Sequence, residues 1–289
     1  MTSPAPPRSR CVLGTGPWRT LHEALCARFP NVPGDEWQAR LAAGAVVGED
    51  GRRFGVDAPF SAGLVIFYTR SVPHEVEIPG DVLIVHADTQ IIVADKPAGL
   101  PVMPTGPWVR QTLQWRVLAA LGLEDAVPLH RLDRDTAGLV LLSVDPGSRA
   151  AYQALFRERR IRKVYEALGR PLPGRTMPFV HRSRLEPGEP FFRMRETDGE
   201  PNAETYVDVL ERGSTAWRYR LEPVTGRKHQ LRVQMAGLGT PLLGDALYPE
   251  IRPDAGPLAL LARALEFRDP ITGLARRFES QRSLAAAGD

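Results

Sequence analysis

The sequence contains little cysteine: Cys11 and Cys26 are its two cysteines among 289 residues. Two cysteines cannot build a disulfide framework or a cysteine-based metal site, and such scarcity is typical of a reducing compartment. Long apolar runs are also missing, since no stretch approaches the ~20 residues of a membrane helix. The proline- and serine-rich start, 1–10, lacks the apolar run of a signal peptide. We therefore expect a soluble, cytoplasmic protein with no membrane partner.

Several common catalytic signatures are absent as well. No Gly-x-Ser-x-Gly elbow, Walker A loop or dinucleotide fingerprint occurs, and the six histidines lack metal-ligand spacing. We accordingly expect neither a metal nor a cofactor. The formal net charge is +3, a small excess that permits an anionic partner without requiring one.

The chain divides by composition into three parts. Residues 1–17 are expected to form a disordered tail, 18–79 a small α/β module, and 80–289 a larger catalytic domain. The module, with two short helices and then small strands, resembles the S4-like RNA-binding fold. Acidic residues outnumber basic ones between 19 and 79, and phosphate contacts need positive charge. The module is thus either a degenerate RNA binder or a docking appendage.

The larger part alternates strands and helices without a regular βαβ period. This favours an α+β fold with a largely antiparallel mixed sheet and flanking helices. The expected strands are 82–85, 91–94, 138–144, 163–168, 203–210 and 217–221, and the expected helices are 109–121, 147–160 and 226–236.

A charged hexapeptide, 130–135, runs directly into the apolar strand 138–144. At the mouth of a core a carboxylate can be desolvated and paired with arginine, which is how functional carboxylates are often built. The alternative is a salt-bridged loop that caps the strand. Of its two carboxylates, we expect Asp133 to be the functional one and Asp135 to order the loop through Arg134 or a nearby amide.

Three further segments carry candidate chemistry. The turn at 95–102 presents Lys96, which could line a phosphate channel or belong to a structural turn. In the strand 163–168, Lys163 and Tyr165 share one face, so the tyrosine could stack on a base, exchange a proton, or simply fill the core. The basic run 157–163 could contact phosphates.

In the third segment, Thr225 is a plausible helix N-cap. His229 and Arg232 then lie on one helical face. An arginine from this helix would hold Asp133 ionised, although a merely structural pair is the alternative.

Together these segments resemble the RluA-type pseudouridine synthase family. The resemblance rests on K-P-A-G-L-P-V, H-R-L-D-x-x-T-x-G-L, K-x-Y-x-A and T-G-R-x-H-Q-L-R, which begin at 96, 130, 163 and 225, and on the G-x-P-L-x-G-D-x-x-Y run at 239–248. It implies a pseudouridine synthase fold and the isomerisation of uridine to pseudouridine in an RNA stem-loop, without metal or cofactor.

The resemblance also implies roles for residues. Asp133 would be the nucleophile, and Arg232 would be the basic partner of Asp133. Tyr165 would be the catalytic tyrosine. Arg131 would occupy the space left by a flipped base. The residues expected to bind substrate are Arg131, His130, Lys96, Lys163, Arg227 and His229.

Two other functions stay open. A non-catalytic RNA-binding protein could use the same fold, and a small-molecule glycosidase could use Asp133 and Asp135 as paired acids. Within the family, the resemblance leans toward members that act on tRNA and large-subunit rRNA. We expect a monomer.

Overall fold

The computed structural model describes residues 8–69 and 75–284. The chain falls into two compact units, one extending to residue 75 and including 104–110, the other formed by 76–103 and 111 onward. Each unit is described by itself. The elements of the first are β1 (Arg8–Val12), α1 (Leu21–Arg28), α2 (Gly34–Ala42), β2 (Val46–Gly48) and β3 (Val65–Thr69).

The first unit has the expected order of two helices followed by small strands. Helix α1 begins at a capping box in which the Thr20 hydroxyl accepts from the Glu23 amide and the Glu23 carboxylate accepts from the Thr20 amide. Trp37, Leu21 and Ile66 are fully buried in its core. Whether it is an S4-like RNA binder stays a prediction.

The expectation of a disordered tail over 1–17 is wrong for the part that the structure describes. Residues 8–12 form β1, which pairs antiparallel with β3 in a three-stranded sheet of order β1-β3-β2. Proline-rich composition suggested disorder, but the alternating Arg8–Val12 segment completes the sheet edge. Residues 1–7 lie outside the described part of the chain.

The second unit is built around one large sheet. Its strands are β4 (Leu83–Ala87), β5 (Ile91–Lys96), β6 (Val127–Pro128), β7 (Ala137–Ser143), β8 (Ile161–Gly169), β9 (Phe179–Pro187), β10 (Met194–Thr197), β11 (Ala203–Arg212), β12 (Trp217–Pro223), β13 (Leu260–Arg268) and β14 (Ala275–Glu279). Its helices are α3 (Leu113–Leu121), α4 (Arg149–Arg157) and α5 (Gln230–Gly237).

The sheet order is β10-β9-β11-β12-β8-β13-β7-β5-β4, with β14 beside β13 and β6 beside β7. Among the described residues, β13 with β7 is the one parallel pair in this sheet, so the expected largely antiparallel mixed sheet is confirmed. Strands β5 and β7 are buried on both faces. Their alternate residues pack against α3 on one face and α4 on the other, as apolar strands covered on both sides must.

Gly138 permits the parallel contact. Its φ is +112°, and a Cβ there would lie 2.3 Å from the carbonyl oxygen of Ala262 in β13. Any side chain at this position would push the two strands apart. The end of the charged loop is therefore pinned to the centre of the sheet.

All three expected helices begin later in the structure, and α4 covers Arg149–Arg157 rather than 147–160. Helix α3 begins at Leu113 rather than 109, because Thr112 caps it by accepting from the Trp115 amide. Helix α5 begins at Gln230, so Thr225 is not its N-cap. The Thr225 hydroxyl instead accepts from the Glu204 amide and donates to the Gln230 side chain. Strand β9 was not expected, because the prolines and glycines that flank it suggested an irregular loop.

Candidate active site

The loop between β6 and β7 holds Asp133 close to the N-terminal end of β7, which begins at Ala137. His130 anchors the start of this loop by accepting a hydrogen bond on Nε2 from the Leu141 amide, 3.0 Å away. Burial lowers the pKa of His130 to about 3, and the Lys163 charge adds to the effect. The ring is thus neutral with its proton on Nδ1. The Thr136 amide donates to the Asp133 carbonyl at 3.2 Å, which closes the loop into a tight turn.

Asp133 faces Arg232, as the sequence predicts. The guanidinium Nη1 lies 3.3 Å from Asp133 Oδ2. The Arg232 side chain is 4% exposed and that of Asp133 25%, so the carboxylate meets a buried cation on one side and an open space on the other. The adjacent guanidinium compensates the charge that the carboxylate brings into this partly buried position.

Arg232 is itself held by a second carboxylate. Asp245, whose side chain is fully buried, accepts from Nε at 2.8 Å and from Nη2 at 2.7 Å. Burial alone would lower the pKa of Arg232, but Asp245 and then Asp133 outweigh it and raise the pKa. Gly244, with a φ of +71°, makes the turn that delivers Asp245, since a Cβ there would lie 1.9 Å from the Pro257 carbonyl oxygen.

His229 completes the polar side of the site. It adopts a φ of +54° at the N-terminus of α5, an uncommon conformation for a residue with a side chain. Its Nε2 lies 3.8 Å from Asp133 Oδ1 and its Nδ1 lies 2.8 Å from the Tyr248 hydroxyl. Burial lowers the pKa of His229, against the opposing effect of Asp133.

Tyr165 and Lys163 lie on the cavity-facing side of β8, and Glu166 on the opposite face pairs with Arg263. The expected division of faces is therefore confirmed. Burial raises the pKa of the Tyr165 phenol, and the Asp133 charge raises it further. Lys163 donates to the Thr225 carbonyl at 2.9 Å, while burial and the nearby charge of Arg159 lower its pKa to about 8.

These side chains enclose one cavity of about 110 Å³. Asp133, Tyr165 and Arg232 all line it, together with four of the residues expected to bind substrate. Those four are Arg131, Lys163, Arg227 and His229. A wider cavity of about 470 Å³, which His130 helps to line, shares Tyr165 and Lys163 with the first.

Lys96 does not line either cavity. It is fully buried, and its ammonium donates to the carbonyl oxygens of Pro97, Leu100 and Arg134 at 2.7–3.0 Å. Burial lowers its pKa to about 7, against the opposing charges of Asp135 and Asp133. The expectation that Lys96 lines a phosphate channel is therefore wrong: the lysine ties the turn after β5 to the loop that carries Asp133.

Asp135 lies apart from the cavities. It is 39% exposed and accepts from Arg134 Nε at 2.9 Å, the pairing expected of a residue that orders the loop. Asp245 and Tyr248 were not predicted as site residues, although both belong to the Gly239–Tyr248 run that carries part of the family resemblance. An aspartate after glycine in an otherwise apolar turn was the available signal.

Among the described residues, no group of three or more histidine, cysteine, aspartate or glutamate side chains is placed to hold a metal ion. Nor does that part of the chain contain a helix long and apolar enough to cross a membrane.

Comparison with known proteins identifies the family. The sequence model of RNA pseudouridylate synthase matches residues 90–237. The chain is 34% identical to an uncharacterised RNA pseudouridine synthase of Synechocystis sp., over 73% of each chain. It is also 32% identical to the dual-specificity RNA pseudouridine synthase RluA of Escherichia coli, over 68% of this chain and 92% of that protein.

Solved structures support the same fold. Human RNA pseudouridylate synthase domain containing 4 shares 25% identity and superposes with a TM-score of 0.56, covering 70% of this chain and 88% of the human one. Human RNA pseudouridylate synthase domain containing 1 gives a TM-score of 0.60 at 24% identity, over 71% and 86% of the two chains.

Proposed function

Because this chain belongs to the RNA pseudouridylate synthase family, we propose that Asp133 is the nucleophile with which it converts uridine to pseudouridine. The chain is an isomerase: the N1–C1′ bond of uridine breaks, a C5–C1′ bond forms, the C5 proton leaves, and N1 gains a proton. No atoms are gained or lost overall, so the protein has to supply a nucleophile, a proton acceptor and a site that holds the detached base.

The observation that carries the proposal is the asymmetric setting of Asp133. One carboxylate oxygen is 3.3 Å from the buried Arg232 guanidinium, and the side chain opens into the cavity of about 110 Å³. A nucleophilic carboxylate must be ionised yet poorly hydrated. The Arg232 guanidinium compensates the charge of Asp133, and only 25% of the Asp133 side chain is exposed to water.

Asp245 sets how strongly Arg232 acts on Asp133. Because Asp245 takes Nε and Nη2 in a bidentate pair, Nη1 is left to face the nucleophile. A guanidinium fixed in this way is preorganised, so it does not need to reorient when charge develops in the reaction. We therefore assign Asp245 as a positioning residue.

Tyr165 is the proposed acceptor of the C5 proton, and its flat ring can stack on the base. Its raised pKa means that the phenol is neutral at ordinary pH. A neutral phenol accepts a proton only while it passes on its own, and Asp133, whose charge already acts on this phenol, is a candidate acceptor.

Arg131 is exposed and lies at the cavity mouth. An enzyme that acts on a paired or stacked base must first extrude it. Arg131 is placed to fill the gap, while Arg227 and His229 border the extruded nucleotide.

The proposed substrates are structured rRNA, tRNA, or both, because relatives named as dual-specificity RNA pseudouridine synthases match two thirds of the chain. Mapping pseudouridines in RNA from a deletion strain, with complementation by the wild type and by Asp133→Ala, would identify the position. Cytoplasmic location and a monomeric state stay predictions, which cell fractionation and sedimentation would check.

The direct test measures tritium release from C5-labelled uridine RNA. Wild-type protein should release tritium and Asp133→Ala should not. Release that persists undiminished in the variant would overturn the assignment of Asp133. Turnover of free nucleosides by the wild type would instead support a small-molecule glycosidase.

A further inference from the structure

We propose that the wider cavity beside the Asp133 site binds the phosphodiester backbone next to the target uridine, through Arg159 and Lys163. The inference rests on the proposed function, since it places the phosphate of the nucleotide whose base enters the inner cavity. The two cavities share Tyr165 and Lys163 along β8, so one nucleotide can span them.

The lining of this wider cavity, about 470 Å³ in volume, is cationic. No carboxylate belongs to the described residues that line it. The cations are Arg131, Arg157, Arg159, Lys163 and Arg227. A concave surface with one sign of charge concentrates ligands of the opposite sign.

Arg159 and Lys163, two of these five cations, also lack a compensating charge within the described part of the protein. Among residues 8–69 and 75–284, no ion pair involves Arg159 or Lys163, and the ammonium of Lys163 donates to the Thr225 carbonyl. Arg159 is close enough for its charge to lower the pKa of Lys163, after the larger effect of burial. Two cations that repel each other across a cavity are stabilised by an anion between them.

The rest of the same basic run is neutralised. Arg160 pairs with Glu158 at 2.8 Å, and Arg162 lies 2.8 Å from both Glu222 and Glu266. Arg157, at the rim, also pairs with Glu158. Within this run, Arg159 and Lys163 are therefore the cations without an ion pair among the described residues.

The backbone aims Arg159 toward this cavity. Helix α4 ends at Arg157, β8 begins at Ile161, and Arg159 between them has a φ of +56°. This left-handed residue reverses the chain within three positions. As a result, Arg159 in the turn and Lys163 in β8 line the same cavity.

The chemistry that fits is a phosphodiester. Guanidinium and ammonium groups are the usual partners of phosphate oxygens, and the neighbouring inner cavity is proposed to receive a base. The half-buried ring of Phe156, stacked on His130 at 4.8 Å, adds an aromatic wall. Stacking surfaces beside cationic grooves are typical of single-stranded RNA sites.

The test is a double-mutant cycle between the protein and the RNA. The protein variant is Arg159→Gln, and the matched control is Arg160→Gln, which changes the next residue in the run. The RNA probes are an unmodified tRNA anticodon stem-loop and a large-subunit rRNA hairpin. Each is made with and without an uncharged methylphosphonate on either side of the uridine that pseudouridine mapping identifies.

Binding is measured by fluorescence anisotropy with an Asp133→Asn background, so that no turnover occurs. Neutralising the contacted phosphate should weaken binding by about tenfold, as loss of a charge-assisted hydrogen bond does. In Arg159→Gln, where Lys163 still contacts the phosphate, the same neutralisation should cost clearly less than in the parent protein, and the slope of log affinity against log salt should fall by about 0.7. Arg160→Gln should keep the full sensitivity.

The proposal is wrong if Arg159→Gln and the methylphosphonate weaken binding independently of each other. It is also wrong if Arg159→Gln and Arg160→Gln change the binding affinity equally. Tritium release by the wild type on the unmodified RNA is measured in parallel. Absence of release would count against the proposed function, whereas the binding cycle would still report whether Arg159 contacts a phosphate.

Discussion

Two carboxylates lie on either side of Arg232, and they differ in every physical respect. Asp245 is fully buried and holds the guanidinium through two short hydrogen bonds of 2.7 and 2.8 Å. Asp133 is a quarter exposed and touches the same group once, at 3.3 Å. The buried pair fixes the cation, whereas Asp133 keeps part of its carboxylate open to the cavity, as its proposed role of nucleophile requires.

This division has an energetic basis. A buried ion pair with its hydrogen bonds satisfied is costly to break, because removing one partner leaves an unpaired charge without water. A half-open carboxylate costs less to alter, since water can reach what is left. The comparison therefore predicts that replacing Asp133 removes activity at little cost in stability, whereas replacing Asp245 lowers stability as well.

The largest expected effect is the loss of activity in Asp133→Asn. Removing a nucleophile typically lowers the rate by about 10⁴-fold or more, while the melting temperature should stay close to that of the wild type because the residue is partly open. Tritium release and thermal unfolding measure the two quantities. The matched control is Asp135→Asn, which alters an exposed carboxylate two residues away and should retain activity.

Asp245→Asn, unlike Asp133→Asn, should strongly lower the free energy of unfolding. It leaves the buried Arg232 without its main partner, and the expected loss is about 3–5 kcal/mol in the free energy of unfolding. Urea denaturation gives this value, and Asp135→Asn should change it by less than about 1 kcal/mol because its ion pair is exposed. Equal stability of the two variants would contradict the idea that the Asp245 pair is structural.

Tyr165→Phe probes the open side with a smaller change. Loss of the hydroxyl should lower kcat by about 10²-fold if it transfers the C5 proton. The ring remains, so RNA affinity and stability should be kept. An unchanged kcat in Tyr165→Phe would mean that Tyr165 acts only by stacking. The control is Tyr219→Phe, which alters a buried tyrosine outside both cavities. It shows whether loss of a buried hydroxyl by itself loosens the core.

How much of this site could be predicted from the sequence depends on whether a sequence pattern specifies the contact. Strand periodicity placed Tyr165 and Lys163 on one face and Glu166 on the other, as the structure confirms. The expected approach of Arg232 to Asp133 is also confirmed. The first rests on local strand geometry. The second joins residues 99 positions apart and rests on charge pairing and on the family resemblance.

The failures concern contacts that no local sequence pattern specifies. Lys96 was expected to face phosphate, but three carbonyl acceptors, one of them at Arg134, bury it. Thr225 was expected to cap a helix, but it is hydrogen-bonded to β11. Asp245 was missed because the one local signal, an aspartate after glycine in an apolar turn, does not say which cation the aspartate pairs with.

The smallest expected effect is a dependence of RNA affinity on pH. This dependence distinguishes Lys163 from the buried Arg232. Lys163 has a pKa of about 8, so it is charged below that pH and becomes neutral above it. RNA affinity should therefore fall between pH 7 and pH 9, by about three- to tenfold for one contact. The sealed Arg232, whose pKa is raised, stays charged throughout. Lys163→Arg should flatten the profile measured by anisotropy, and an unchanged profile in that variant would show that another group titrates.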